Sequence, residues 1–230
     1  MSKPWHVKNP ELAEQIRSDL RARYPGLHLF IEPDGSAAVR GTFPVLSGEG
    51  RELDRYRVTI ELPPDYPRSL PIVREVGGRI PWKPDFHVNA DGVACVLLPD
   101  DRWRCFPVGA PFVQFLDGPV HDFFLGQSLI ALGEAWPFGQ WSHGAKGVRE
   151  YYQWLLHTDD STTIVRYLEV LAKPDLKGHW ECPCGSGEKI RRCCRAQIVE
   201  LRNKIPPDVA RKALETLGAR TSPVLRPPRR

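Results

Sequence analysis

The chain has 230 residues, 41% hydrophobic and 26% charged, which is ordinary for a soluble globular protein with one full core and a smaller appendage. No apolar run approaches the roughly 20 residues that span a bilayer, and the N-terminus lacks the apolar segment of a secretory signal, so we expect a cytoplasmic protein. Residues 174–230 carry 13 Lys and Arg against 6 Asp and Glu, whereas residues 1–173 carry 19 against 22. A neutral-to-acidic body therefore precedes a basic C-terminal segment.

The first part of the chain predicts one helix followed by four strands. Asn9 and Pro10 form a helix start signal, because asparagine caps free backbone N–H groups and proline fits the first turn. Apolar residues then recur every four positions, as on one face of a helix, at Leu12, Ile16 and Leu20. Four short segments separated by turn residues predict an antiparallel meander: LHLFIE, AAVRGTFPV, RYRVTIELP and PIVREV.

The second part of the chain predicts helices. Residues 111–135 space their apolar side chains as a helix does, and Gly118-Pro119 predicts a division of this stretch. Two more helices are predicted over VREYYQWLLH and over residues 161–172, followed by a linker, KPDLKGHWE. The terminal segment, RTSPVLRPPRR, has too much proline and charge to fold by itself. The expected fold class is α+β.

Four of the six cysteines crowd into CPCGSGEKIRRCC, at Cys182, Cys184, Cys193 and Cys194. In a cytosolic chain, such a cluster favours metal binding over disulfides, and four thiolates suit one tetrahedral Zn(II) with no open position. A reactive vicinal dithiol and an iron–sulfur site are the alternatives. The segment resembles the SEC-C motif, which implies a structural zinc held by these four cysteines and a module that docks on protein partners.

A lone cysteine lies in PDFHVNADGVACVLLPDDRW, residues 84–103, and is either a small buried residue or a nucleophile. Over about residues 9–157 the chain resembles the ubiquitin-conjugating enzymes. The matching residues are Tyr66-Pro67, His87, Asn89, Gly92, Cys95 and Trp103. Two departures are Val88 where the family has proline, and five residues instead of seven between the asparagine and the cysteine. The compact turn is similar to that of a divergent prokaryotic branch in bacterial ubiquitin-like conjugation and antiphage signalling systems.

The resemblance implies a ubiquitin-conjugating-enzyme-like domain over residues 1–172, followed by the SEC-C module over 173–205 and a basic, partly disordered tail over 206–230. It also implies that Cys95 carries an acyl group as a thioester and passes it to an amine. An asparagine amide suits an oxyanion donor, although Asn89 is nearly as well explained as a turn residue. His87 is better explained as a brace for the turn than as a base.

The sequence leaves two possible roles open for each of several neighbouring residues. Asp100 and Asp101 could orient or deprotonate an incoming amine, or form a solvated turn. Cys105 could be a core residue or a resolving thiol. His143, in a glycine-rich link, could approach the active turn or lie on the surface.

The chain shows no glycine-rich nucleotide loop, so an activated donor must come from elsewhere. The expected partners are a protein donor (an activating enzyme, a ubiquitin-like modifier or a cyclic-nucleotide synthase) and a protein target. The main alternative is a non-enzymatic adaptor that uses the same fold and the zinc module for docking.

A cysteine hydrolase is a weaker alternative, because it needs a catalytic triad and the sequence shows no signature of one. The basic tail has no aromatics between its arginines, which argues against a nucleic-acid stacking platform.

Overall fold

The computed structural model describes residues 3–138, 141–142 and 144–219. The chain divides into two compact units, which we call unit 1 and unit 2. Unit 1 comprises Met1–Leu97 and Arg104–Gly139, and unit 2 comprises Leu98–Trp103 and Gln140–Arg230. His143 and the terminal segment 220–230, both of which carry sequence-based predictions, lie outside the described residues.

The described residues contain strands β1 Leu27–Ile31, β2 Ala37–Leu46, β3 Glu52–Leu62 and β4 Ile72–Glu75. The helices are α1 Trp5–Lys8, α2 Pro10–Arg23, α3 Arg102–Cys105, α4 Phe112–Phe115, α5 His121–Ala131, α6 Gly144–Leu156, α7 Ser161–Leu171, α8 Arg195–Lys204 and α9 Pro207–Thr216. In the described part of the chain, none of these helices combines the length and apolarity that crossing a membrane requires. The α+β class expected from the sequence is confirmed.

Unit 1 is built on a four-stranded antiparallel sheet in the order β1-β2-β3-β4, so the predicted meander is confirmed. Side chains that alternate along β3 are buried on one face, because successive residues of a strand point to opposite sides of the sheet. Helix α2 packs beside β1, and its first turn is capped by Asn9, whose side-chain oxygen accepts from the N–H of Leu12 at 3.1 Å.

Helix α5 covers the buried face of the sheet. Its Phe124 ring stacks against Tyr56 of β3, with ring centroids 4.7 Å apart, and lies 5.6 Å from the Phe43 ring of β2. Aromatic pairs at such separations bury large apolar areas and add attractive ring contacts. This contact fixes α5 across the middle strands, and α5 in turn supports the segment that follows β4.

The predicted division of residues 111–135 at Gly118-Pro119 is wrong. A π-helical turn, Leu116–Val120, joins α4 to α5 without a break. Proline lacks an N–H and normally interrupts α-helical hydrogen bonding. Here the bonding widens instead, so that the His121 N–H reaches the carbonyl of Leu116, five residues earlier.

Unit 2 places the cysteine cluster in the same hydrophobic core as the last helices. Buried residues from α6, α7, α8 and α9 pack together with Cys182 and Ile190 of the cysteine segment. Residues 207–216, which the sequence assigned to a partly disordered tail, form α9, with Ala210 and Leu214 fully buried. The unit therefore also crosses the predicted boundary at 172/173.

Two arginines join the ends of these helices. Arg202 donates to the carbonyl of Lys173 at 2.8 Å, and Arg211 donates to the carbonyl of Ala172 at 3.1 Å. Both acceptors lie at the C-terminal end of α7, where backbone carbonyls have no helical partner and the helix dipole is negative. The predicted linker, which begins at Lys173, is thus anchored at its start from α8, and the residue before it is anchored from α9.

Candidate functional site

Cys95 lies at the end of a small hairpin that follows β4 in unit 1. The Ala94 N–H donates to the carbonyl of Val73 in β4 at 2.9 Å, and Val88 pairs with Ala94 as an isolated antiparallel bridge. The Cys95 N–H donates to the carbonyl of His87 at 2.8 Å. The backbone of Cys95 is therefore tied to the sheet on one side and to the opposite arm of the hairpin on the other.

The tip of the hairpin is a turn over residues 89–92 that requires its glycine. The Gly92 N–H donates to the carbonyl of Asn89 at 2.9 Å, and Gly92 has a φ of +80°, which glycine adopts without a steric penalty. The indole of Trp82 lies against Gly92, where a Cβ atom would be only 2.8 Å from the ring. Trp82 itself is 59% exposed.

The turn brings Asn89 to the cysteine. The Cys95 thiol is half-buried, and its Sγ lies 3.5 Å from the side-chain oxygen of the exposed Asn89. The shorter loop predicted from the sequence therefore still holds the asparagine side chain beside the sulfur. Burial raises the pKa of the Cys95 thiol, the negative charge of Asp91 raises it further, and the hydrogen bond to Asn89 acts in the opposite direction.

His87 holds an unusual backbone conformation at the start of this hairpin. Its φ of +54° lies in the left-handed region, which costs a residue with a Cβ roughly 1–2 kcal/mol. Its carbonyl accepts the Cys95 N–H, and its ring packs against Trp136 with ring centroids 4.3 Å apart. These contacts fix both the backbone and the ring of His87 at the start of the hairpin.

Asp100 and Asp101 belong to unit 2, and both are buried, which contradicts the solvated turn, one of the two explanations left open by the sequence. A carboxylate oxygen of Asp100 accepts from the Tyr152 hydroxyl at 2.6 Å, and its carbonyl accepts from the Tyr151 hydroxyl at 2.8 Å. Trp103 donates from its indole N–H to Tyr151 at 2.8 Å. Burial raises the pKa of Asp100. These bonds make Asp100 an anchor for α6 inside unit 2.

Cys105 ends α3 and is half-buried, and its backbone carbonyl accepts a long bond from the Gln114 amide at 3.4 Å.

The four clustered cysteines form a candidate metal centre. The Sγ atoms of Cys182, Cys184, Cys193 and Cys194 all lie within 4.8 Å of one another. Neighbouring sulfurs are 3.4 Å apart between Cys184 and Cys182, and 3.6 Å apart in the Cys184–Cys193 and Cys193–Cys194 pairs. A tetrahedron with zinc–sulfur bonds of about 2.3 Å has sulfur–sulfur edges of about 3.8 Å. The four thiols are thus close enough together to bind one metal ion such as zinc.

Local backbone structure gathers these thiols. The bridge between Glu181 and Lys189 closes the loop that carries Cys184, and Gly185 supplies a φ of +81° inside it. Cys194 precedes the first residue of α8. A hydrogen bond from the Ser186 hydroxyl is the main cause that lowers the pKa of Cys184, to about 6.

Sequence reasoning missed two residues that contact the Cys95 hairpin. Trp136 lies in a segment that the sequence suggested was a plain glycine-rich link. Gln127 interrupts an apolar helical run, which is a usable signal, because a polar side chain among buried apolar ones needs a hydrogen-bond partner. Its partner is the carbonyl of Phe86, which accepts from the Gln127 amide at 2.6 Å.

No protein-family model, curated protein or solved structure matches this chain.

Proposed function

We propose that this protein is an acyl-carrier enzyme of the ubiquitin-conjugating type, with Cys95 as the carrier of the acyl group. The observation that carries the proposal is the pairing of the Cys95 thiol with the Asn89 amide at 3.5 Å on a hairpin anchored to the sheet. The resemblance of the surrounding segment to those enzymes supports the same assignment, as do the half-burial of Cys95 and the exposure of Asn89.

The chemistry consists of two substitutions at one carbonyl carbon. In the first, the Cys95 sulfur attacks the carbonyl carbon of a thioester donor, a new C–S bond forms, the donor's C–S bond breaks, and the donor's thiol leaves with the proton that Cys95 gave up. In the second, a target amine attacks the same carbon, a C–N bond forms, and the bond to Cys95 breaks. The amine's surplus proton returns to the Cys95 sulfur, directly or through water.

Asn89 suits the second step. In the free protein the thiol donates to the Asn89 side-chain oxygen. A thioester has no S–H, so rotation of the amide would present its N–H₂ group to the acyl oxygen at the cost of no protein hydrogen bond. A neutral donor at that place stabilises the negative charge that aminolysis builds on oxygen.

The raised pKa of Cys95 fits thioester exchange better than hydrolysis. Attack on an already activated thioester requires only a small thiolate fraction, and a sulfur of high pKa is the better nucleophile once ionised. A cysteine hydrolase would instead need an adjacent base held in place by a third group.

For the cysteine cluster we propose one structural Zn(II) bound by Cys182, Cys184, Cys193 and Cys194. Zinc bound by four thiolates has no open position, so the ion would supply folding free energy and no reaction step. We further propose that the module docks on a protein partner. The partners would be an activating enzyme, a ubiquitin-like modifier or a cyclic-nucleotide synthase as donor, and a protein target, in the cytoplasm of a bacterium with a conjugation or antiphage system.

A loading assay tests the proposal with a defined probe, a short peptide ending in diglycine and activated as a small-molecule thioester. Peptide mapping at low conversion should place the acyl group on Cys95 in preference to Cys105, and added lysine should remove it faster than water does. Equal loading of Cys95 and Cys105, or loss of the acyl group to water with no acceleration by lysine, would contradict the proposed enzymatic function. It would leave the adaptor, in which the fold and the zinc module serve only for docking.

A further inference from the structure

Two consecutive residues of α5 support the start of the Cys95 hairpin, Gln127 by a direct contact and Gly126 through Trp136. Gln127 is only 4% exposed, and its amide donates to the carbonyl of Phe86 at 2.6 Å. Gly126 faces the ring of Trp136, where a Cβ atom would come within 2.5 Å of the indole. Helix α5 itself packs on β2 and β3, so both contacts connect the start of the hairpin to the sheet.

Trp136 passes this support to His87. Its ring occupies the space that a side chain at position 126 would fill, against Gly126. The same ring packs against the imidazole of His87, with ring centroids 4.3 Å apart. The indole N–H is buried and makes no hydrogen bond with the residues that the structure describes. The contribution of Trp136 therefore comes from its ring and not from a donated hydrogen bond.

His87 needs such support because it holds a left-handed backbone conformation that a residue with a Cβ rarely adopts. The carbonyl fixed by this conformation accepts the Cys95 N–H at 2.8 Å. Phe86, held by Gln127, is the residue immediately before His87. The two contacts from α5 thus both support His87, a strained residue whose carbonyl accepts a hydrogen bond from Cys95.

We infer that Trp136 and Gln127 are positioning residues that hold His87 in its left-handed conformation and thereby fix Cys95 beside Asn89. This inference rests on the proposed function for its biological meaning, but the geometry it describes is measurable without any acyl transfer. A residue that served only the core would change the stability of unit 1 without changing the surroundings of Cys95 in the folded protein.

The test compares the alkylation rates of Cys95 and Cys105 by iodoacetamide in the folded full-length protein, by peptide mass spectrometry at low conversion. Trp136→Ala, Gly126→Ala and Gln127→Ala should each raise the Cys95/Cys105 rate ratio, because a loosened hairpin exposes the thiol. We expect about 10-fold, as for residues coupled through direct contacts. Ser128→Ala is the matched control on the same helix. It removes hydrogen bonds to Asp54 and to the Tyr56 hydroxyl, and should leave the ratio unchanged.

A second comparison isolates the backbone strain. Glycine adopts the conformation of His87 without a penalty, so in a His87→Gly background the Trp136→Ala change should no longer raise the ratio. An unchanged ratio in Trp136→Ala, or an equal rise in Ser128→Ala, would overturn the inference. So would a full Trp136→Ala effect in the His87→Gly background. These outcomes are independent of whether Cys95 accepts an acyl group, so failure here and failure of the proposed function are distinguishable.

Discussion

The Cys95 sulfur and the Asn89 side-chain oxygen lie 3.5 Å apart, although five residues separate them in the chain. The hairpin achieves this through the bond from the Cys95 N–H to the His87 carbonyl, which closes the two arms on each other. A thiol and an amide held together on an anchored turn are the two groups that thioester aminolysis uses, one as carrier and one as oxyanion donor.

Asn89→Ala should slow transfer from Cys95 to lysine on the order of 100-fold, because loss of one oxyanion donor typically costs that much. Loading of Cys95 from a thioester donor should fall far less, since thiolate attack is intrinsically faster than attack by an amine. Single-turnover measurements of the two steps separate these effects. Equal slowing of both steps would indicate that Asn89 only shapes the turn.

Asp91→Asn should shift the pH dependence of Cys95 alkylation to lower pH. The Asp91 carboxylate disfavours the neighbouring thiolate and raises the pKa of Cys95, so removing the charge must lower that pKa. Asparagine can still accept the Val93 N–H that Asp91 accepts at 3.1 Å, which preserves the turn. The measurement is the alkylation rate against pH, with Asp85→Asn as the control from the preceding segment. No shift, or a shift of the same size in the control, would refute the assignment to Asp91.

Asp100→Ala should destabilise unit 2 by about 1–3 kcal/mol, because it leaves the Tyr152 hydroxyl buried without its acceptor. Asp100→Asn keeps an acceptor and carries no charge. A folded-state pKa above the unfolded value means that the stability contribution of Asp100 is present at low pH and is lost as the pH rises through that pKa. The stability of Asp100→Asn relative to the unsubstituted protein should therefore increase as the pH rises from the ordinary carboxyl range.

Denaturant unfolding at several pH values measures this difference, with Asp159→Ala, an exposed acidic residue of unit 2, as the control. A large loss of acyl transfer in an Asp100→Asn variant of full stability would contradict the structural role. It would revive the sequence-based alternative in which this carboxylate handles the incoming amine.

Metal removal should disturb more than the cysteine segment. Native mass spectrometry should find one Zn(II) per chain, and Cys193→Ser should lose it whereas Cys105→Ser should not. Cys182 and Ile190 share the core of α6–α9, so strong chelation should also weaken the packing of those helices. The measurement is near-ultraviolet circular dichroism, which reports on the tyrosines and tryptophans of that core. A metal-free protein with unchanged signal would rule out a folding role for the ion.

The sheet and α2 could be predicted from the sequence because their signals are local. Asn9-Pro10 marks a helix start by itself, and the alternation along β3 identifies the buried face without knowledge of any other element. The clustering of the four cysteines could be predicted for the same reason, since their spacing alone brings the thiols together.

The features that could not be predicted depend on residues distant in sequence. The burial of Asp100 depends on Tyr152, and α9 forms because Ala210 and Leu214 find a core made by α6 and α7. Proline at 119 is normally a helix-breaking signal, and only the tertiary position of α4 and α5 decides that the π-turn continues the helix. Trp136 belongs to no periodic apolar pattern, and its partner, His87, lies 49 residues earlier in the chain, so no local signal indicates their contact.

The role of Cys95 as the carrier of an acyl group is tested most directly in the native host with affinity-tagged protein. Protein isolated under non-reducing conditions should contain an adduct that added thiol releases, because a thioester exchanges with free thiol. Cys95→Ser should convert this adduct into an ester that resists thiol, Cys95→Ala should abolish it, and Cys105→Ala should leave it unchanged. An adduct that persists in Cys95→Ala, or full biological activity of that variant in the host, would contradict the enzymatic function.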